Sequence, residues 1–392
     1  MKYQTIITTL LLIASTQFIF IFGQISLTDH AQFDFAVNLL QKVAEEDKSV
    51  ILSPLSVSLS LFMVYLAAHG ETKQQLQEVL GGNASLSQFR IHFYKQLAGI
   101  AVARNDNYTL NIASRLYVRE GFHTKDSFQR VLRYYHYNET LHKFNLEQKD
   151  ELIQQINGWI SSKTNNKIRN IITRDTIDGD TRILLLNAIY FKGTWESQFM
   201  KMATAQREFH ISENEKKLVP MMMKMDEVPY YGDDSVQVVK LPYIGNEVEM
   251  VFILPKTRFG LANVLKFLTG EKLFKYIREA QLQSVSISLP KFRVEEKWDL
   301  TSALKEIGIT DAFSNTANFA ELVNDTLPIS VNKIMHAGFI EVDEKGTESA
   351  AATTVELSFR TLPSYRFVAD QPFLFAIVKD LKTILFAGQF VN

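Results

Sequence analysis

Residues 344–366 read EKGTESAAATTVELSFRTLPSYR, and they lie between two stretches of strand character, HAGFIEVDE (336–344) and PFLFAIVKD (372–380). A connection of about twenty residues is longer than a compact domain keeps without a function for it. Its residues also alternate. From Thr347, one face holds Thr347, Ser349, Ala351, Thr353, Val355 and Leu357; the other holds Glu348, Ala350, Ala352, Thr354, Glu356 and Ser358. Every charge falls on one face, as in a strand with one buried side. Yet the aliphatic content is too thin for a permanent core strand. A segment that is loop in one state and buried strand in another reads this way.

Outward from that segment, ILLLNAIYFKGTW (183–195) is a continuous apolar run that fits a central strand buried on both faces. Residues 236–243, 248–255 and 284–292 also read as strands, as does TILFAGQFVN at 383–392. The first part of the chain is helical: Phe33, Ala36, Val37, Leu39, Leu40 and Val43 follow a 3.6-residue period. Ser53-Pro54 opens a buried helix that Gly70 closes, and Glu71–Leu80 forms a short amphipathic one. Tyr108–Val118 alternates as a strand and Lys125–Tyr135 returns to helix. With no internal repeat and no Pro/Gly/Ser-rich linker, one large mixed α+β domain is expected.

The chain has 392 residues, 46% hydrophobic and 22% charged, which is globular composition. Lys+Arg number 42 against 43 Asp+Glu, so the basic balance of a nucleic-acid binder is missing. There is no cysteine, which excludes disulfides, thiolate metal sites and a cysteine nucleophile. Residues 1–23 combine Lys2, an apolar run from Ile6 to Phe22 and the small Gly23, the anatomy of a signal peptide cleaved before Gln24. Thr8, Thr9, Ser15, Thr16 and Gln17 dilute the run and no basic cluster follows it, which argues against a membrane anchor. A secreted, extracellular chain spanning 24–392 follows, with sequons at Asn83, Asn107, Asn138 and Asn324 as candidate glycan sites.

Catalytic patterns are missing: there is no His-Glu-x-x-His, no Gly-x-Ser-x-Gly and no phosphate loop. The eight histidines include no pair at i, i+4. Met221, Met222, Met223 and Met225 read as strand packing rather than a thioether metal set. Neither an enzyme nor a metal site is expected.

Several short words occur in fixed order: Ser53-Pro54-Leu55-Ser56, Leu186 to Trp195 (LNAIYFKGTW), Leu289-Pro290-Lys291-Phe292, His336-Ala337-Gly338, Val342 to Thr353 (VDEKGTESAAAT) and Ala369 to Phe375 (ADQPFLF). On these the chain resembles the serpins, the serine protease inhibitors, along nearly its whole length, and in general look the secreted arthropod ones. Two departures are visible. Gln371 stands where the family often has His, and the sequence stops at Val391-Asn392 without the common short tail.

The resemblance implies a single serpin-type α+β domain, about nine helices around three β-sheets, with an exposed reactive-centre loop at about 344–366. It also implies a mechanism. A protease attacks the loop, forms an acyl-enzyme, and the cleaved loop inserts as a new strand, carrying and distorting the protease before the ester hydrolyses. Glu344, Gly346, Thr347, Glu348, Ser349, Ala350, Ala351, Ala352 and Thr353 form the hinge. It contains no proline and only Glu348 as a charge between Thr347 and Thr354, which suits an inhibitor. Family spacing places the scissile bond fourteen residues after Gly346, at Arg360–Thr361, with Leu357, Ser358, Phe359 and Leu362 as subsite contacts. An arginine bait matches a trypsin-like protease whose pocket ends in a carboxylate. Ser53, Ser56, Asn187 and His336 are implied beneath the point where the main sheet opens, and Trp195 near its top.

Heparin-type glycosaminoglycan assists some serpins. Arg90, His92, Lys95 and Arg104 do not build a dense basic stripe, so no cofactor is expected. The expected partner is a trypsin-like serine protease meeting a monomer, with no nucleic acid and no membrane. The alternative is a non-inhibitory serpin acting as carrier, chaperone or storage protein.

Overall fold

The computed structural model describes residues 25–102, 107–135, 141–324, 328–347 and 363–392. The expected signal peptide, Arg104, Asn138 and the loop from Glu348 to Leu362 lie outside the described residues. Nine α-helices occur among the described residues. They are α1 (Leu27–Val43), α2 (Pro54–Ala67), α3 (Gly70–Gly81), α4 (Leu86–Val102), α5 (Asp126–Tyr135), α6 (Lys149–Lys163), α7 (Leu261–Lys266), α8 (Gly270–Glu279) and α9 (Thr301–Glu306). The first strands are β1 (Val50–Leu52), β2 (Tyr108–Arg119), β3 (His142–Phe144), β4 (Ile183–Thr194), β5 (Ala205–His210), β6 (Lys216–Gly232), β7 (Val236–Pro242) and β8 (Val248–Pro255). The rest are β9 (Gln281–Pro290), β10 (Phe292–Asp299), β11 (Val331–Asp343), β12 (Gly346–Thr347), β13 (Tyr365–Val368), β14 (Phe373–Lys379) and β15 (Thr383–Phe390).

The six-stranded sheet runs β10-β11-β12-β4-β2-β3, with β11 and β4 also paired directly. The apolar run of β4 is explained by its two covers. Ile183, Leu185, Ile189 and Phe191 enter the main core. Leu184, Leu186 and Ala188 point the other way, into a separate cluster with Leu152, Ile156 and Ile160 of α6. Burial on both faces removes the polar alternation a one-sided strand would show.

On the core side lies α2, buried along nearly its whole length. Ser53 caps it by accepting from the Ser56 N–H, and Pro54 occupies the first turn, where its missing N–H costs nothing. Its serines stay satisfied in the apolar interior, Ser58 Oγ donating to Leu55 O at 2.9 Å and Ser60 Oγ to Ser56 O at 2.8 Å. The helix ends at Ala67, two residues before the sequence suggested. Gly70, at φ +55°, begins α3 instead of closing α2.

The remaining strands form one nine-stranded network, β1-β15-β14-β8-β7-β6-β9-β13 with β5 paired to β6. The three sheets that the resemblance implies appear as two networks, because β6 serves two neighbourhoods. It pairs with β5 over Lys216–Met221 and β9 over Met221–Tyr230, then meets β7 only at Tyr230–Gly232.

Candidate functional site: the opened ladder and the hinge

Strands β4 and β11 run parallel and in register over most of their length, with Asn187 opposite His336 and Tyr190 opposite Phe339. Beyond Phe339 the ladder opens, and β12 occupies the gap. The chain leaves β11 at Asp343, whose Oδ1 accepts from the Lys345 N–H (2.8 Å) and the Gly346 N–H (3.2 Å). It then folds back, so that Thr347 pairs with Val342 on one side and Gly193 on the other. Gly346 is required here: its φ is +146°, and a Cβ would stand 2.2 Å from the Gly193 carbonyl oxygen. The stretch read as loop from 344 to 366 is therefore strand at both ends, β12 at its start and β13 at its finish. Pairing on both sides holds β12 despite its low apolar content, whereas β13 is held along one edge, by β9.

Thr347 is buried, and its Oγ1 lies 2.6 Å from the hydroxyl of Tyr243. Tyr243 stacks on Trp195, with ring centroids 4.5 Å apart and 17° between planes, and meets Phe191 edge-on at 5.0 Å. Burial pushes the Tyr243 hydroxyl far above its ordinary range, so it is a neutral hydrogen-bonding group here. Gly193 makes room for this ring; a Cβ there would sit 2.7 Å from it. Trp195 closes over the turn, its indole N–H donating to Asp343 O at 3.0 Å and its backbone N–H to Lys345 O at 2.9 Å.

Glu344, in the same turn, is held by residues of the segments that lead into β5 and join β9 to β10. Its carboxylate accepts from Lys291 Nζ and from Thr204 Oγ1, each at 2.9 Å, and its carbonyl accepts from the Phe199 N–H. Burial pushes this carboxyl up. The hydrogen bonds from Lys291, its own backbone and Thr204 outweigh that push, and the group sits below its ordinary value.

Lower in the ladder, Ser53, Ser56, Asn187 and His336 form one buried cluster. The Ser53 N–H donates to His336 Nε2 at 3.0 Å. Nε2 therefore carries no proton, and Nδ1–H donates to Asn187 Oδ1 at 2.6 Å. Asn187 Oδ1 also accepts from Ser56 Oγ (2.7 Å), while its Nδ2 donates to Ser56 O (3.1 Å) and Ser60 Oγ (3.0 Å). Full burial holds His336 down to about 3, so the ring is neutral. Ser60 hydrogen-bonds Ser114, which stands opposite Asn187 in β2. The cluster thus ties β2, β4 and β11 to the start of α2.

Ser60, Ser114, Tyr243, Thr204 and Lys291 were not singled out as site residues from the sequence. Ser60 alone carries a local signal, since it lies one helical turn beyond Ser56. The other partners come from distant segments.

The loop returns at β13, which pairs parallel to β9 with Tyr365 opposite Val285. Past it, Asp370 accepts from Arg258 at 2.8 and 3.3 Å. Gln371 spans the end of β8, donating to Pro255 O (2.9 Å) and accepting from the Phe259 N–H (2.8 Å). Asn83, Asn107 and Asn324 are exposed. Arg90, His92 and Lys95 lie on α4, but His92 faces Asp29 at 3.3 Å. Among the described residues no group of three or more His, Cys, Asp or Glu could hold a metal, and no helix is long and apolar enough to cross a membrane.

The chain is similar to known proteins along nearly its whole length. A family model described as "Serpin (serine protease inhibitor)" matches residues 30–392. The chain is a serpin. Serpin B6 of Pongo abelii is 36% identical over 366 residues, covering 91% of this chain and 96% of that one. The crystal structure of Serpin48, a highly specific serpin of the insect Tenebrio molitor, is 25% identical with a TM-score of 0.82, covering 93% of this serpin and 98% of that chain. Human thyroxine-binding globulin in complex with thyroxine is also 25% identical, with a TM-score of 0.83 over the same shares of the two chains. The mixed α+β fold with nine helices is that of this family.

Proposed function

We propose that this serpin is a secreted suicide inhibitor of trypsin-like serine proteases, with Arg360 as bait. The observation that carries the reading is the hinge. Thr347 already fills the first strand position between β4 and β11, and the residues that follow it to Thr354 are free of proline and, Glu348 apart, small. A target protease attacks the carbonyl carbon of Arg360 with its serine oxygen. The bond to the Thr361 nitrogen breaks, that nitrogen takes up a proton, and Arg360 remains esterified to the enzyme. The ladder then opens downward from the seat Thr347 already holds. About 14 residues at ~3.3 Å each add roughly 45 Å of strand, enough to carry the acylated protease across the sheet. Each residue gained exchanges loop hydration for strand pairing on both sides.

Compartment enters the same reading. Cleavage before Gln24 delivers the chain to the outside, where a protease partner meets it as a monomer without cofactor, and where the four sequons accept glycans. The exposure of Asn83, Asn107 and Asn324 is compatible with that.

Incubation with trypsin, followed by a denaturing gel and sequencing of the released peptide, tests the proposal. A complex that survives denaturation, with a peptide beginning at Thr361, is the expected result. Clean cleavage without a complex would instead favour the non-inhibitory reading, which the similarity to thyroxine-binding globulin keeps in view. A mature chain beginning elsewhere than Gln24 in culture medium would overturn the processing.

A further inference from the structure

Behind α4, between the start of α1 and the turn joining β14 to β15, the surface opens into a cleft of about 440 Å³. That is the size of sites that take one small organic molecule. Its deeper lining is apolar, from Leu55, Leu110 and Leu385, while Lys95, Lys379 and Lys382 stand around it. Lys95 and Lys382 are exposed and make no ion pair among the described residues. Lys379 lies over the Tyr108 ring at 5.7 Å and 3.8 Å from Glu247.

Two carboxylates also line the cleft. Asp29 is engaged by His92 at 3.3 Å and by the N–H and hydroxyl of Ser26 at 3.1 and 2.7 Å. Against the three ammonium groups stand Asp29 and Asp380, with Glu247 beside Lys379, so Lys95 and Lys382 are the cationic groups of the rim that no ion pair among the described residues engages. The walls are held together, Gln96 Nε2 donating to Thr383 Oγ1 at 3.3 Å from α4 to β15.

Gly99, within α4, is the second observation. Glycine weakens a helix interior, and here no neighbour demands it: an added Cβ would meet no atom within 4 Å. Gly99 lines the cleft, so a large side chain there would extend into space that is now open. A polyanion would need a continuous cationic stripe, whereas this rim surrounds an apolar hollow.

We propose that this cleft binds one small amphipathic anion, its single anionic head held by the lysines and its apolar body lying against Leu55, Leu110 and Leu385. The test is calorimetric titration of the full chain with decanoate below its micelle concentration. Acetate, decanol and a heparin-derived octasaccharide are the competitors. Decanoate is expected to saturate at one per chain, to lose at least tenfold in affinity in Gly99→Phe and severalfold in Lys382→Ala, and to be displaced by none of the three. An unchanged affinity in a Gly99→Phe variant that melts like the wild type would overturn the site. So would displacement by the octasaccharide, which would make the face a polyanion surface. Should Gly99→Phe fail to fold, Lys382→Glu reads the same contact from the surface, and undiminished binding there overturns the proposal equally.

Discussion

Thr347 and Tyr243, 104 residues apart in sequence, share a hydrogen bond of 2.6 Å in a site closed to water. Neither hydroxyl can turn to solvent, and beyond this bond the Tyr243 hydroxyl meets only the Met250 sulfur, at 3.6 Å. Tyr243→Phe leaves Thr347 Oγ1 without its partner, at a cost of about 1–3 kcal/mol for a buried polar atom. Thr347→Val alone leaves the Tyr243 hydroxyl only the weak Met250 Sδ acceptor at 3.6 Å, at a smaller cost. Together the two replacements put apolar surface against apolar surface, so the double variant is expected to melt higher than the two single losses added would give. Melting temperatures followed by circular dichroism check this. Simple additivity would mean that the bond contributes nothing to seating the hinge.

Thr347→Arg carries the seat to its opposite. Thr347 is buried with its side chain on the uncharged Tyr243 hydroxyl and its backbone against Gly193, so a guanidinium there would lose its hydration beside a neutral partner. The first residue of the hinge would be expelled and insertion slowed, while cleavage at the bait would continue. Active-site titration against trypsin should show more molecules of inhibitor consumed per protease inactivated, with cleaved, uncomplexed chain accumulating. An unaltered stoichiometry would show that insertion does not begin from this seat.

How much of this was legible in the sequence follows from the distance over which each residue acts. The strand at Ile183–Thr194 was legible because both of its faces meet covers, which leaves an unbroken apolar run. The cluster of Ser53, Ser56, Asn187 and His336 came only through family resemblance, since its members lie up to 283 residues apart. Tyr243 stayed hidden because, at the end of a strand, it looks like ordinary core; only the fold reveals Trp195 on its face and Thr347 at its hydroxyl. Tyr365 and Arg366, the first half of β13, were read as loop because a short strand paired along one edge carries no period of its own. The joining of sheets through β6 is a property of pairing rather than composition.

His336 gives the serpin an acid-sensitive clasp. Its ring is held down to about 3 by burial, against an ordinary value of 6.5. The unfolded chain therefore binds a proton that the folded chain refuses between those two values. Stability from this residue is complete above pH 6.5 and declines as the pH falls from there toward 3, by about 1.4 kcal/mol per pH unit. Roughly 3 kcal/mol is gone by pH 4 on that slope. His336→Gln is expected to melt well below the wild type at pH 7, and the gap should close as the pH approaches 4. A gap that stays constant across that range would mean that His336 does not resist protonation in the folded state.

Glu344 contributes in a lower window and through a different element. Its carboxylate links the turn after β11 to Lys291 and Thr204, so the hinge is held from outside its own sheet. Because its folded value lies below the ordinary 4.5, its contribution is present above that value and is lost as the pH falls through the folded one. The Lys291 side chain is 36% exposed, so solvent screens part of the pair. Glu344→Gln keeps the shape and the bond from Thr204 but not the charge. A loss of about 1 kcal/mol at pH 7 is expected, shrinking below pH 4.5. Adding His336→Gln separates the two groups: in that background the slope below pH 4.5 should become shallower when Glu344 is also replaced, the remainder belonging to carboxyls such as Asp29, Asp178 and Asp233 that are likewise held below their ordinary values. A slope that persists unchanged in the double variant would place the acid sensitivity elsewhere than in these two residues.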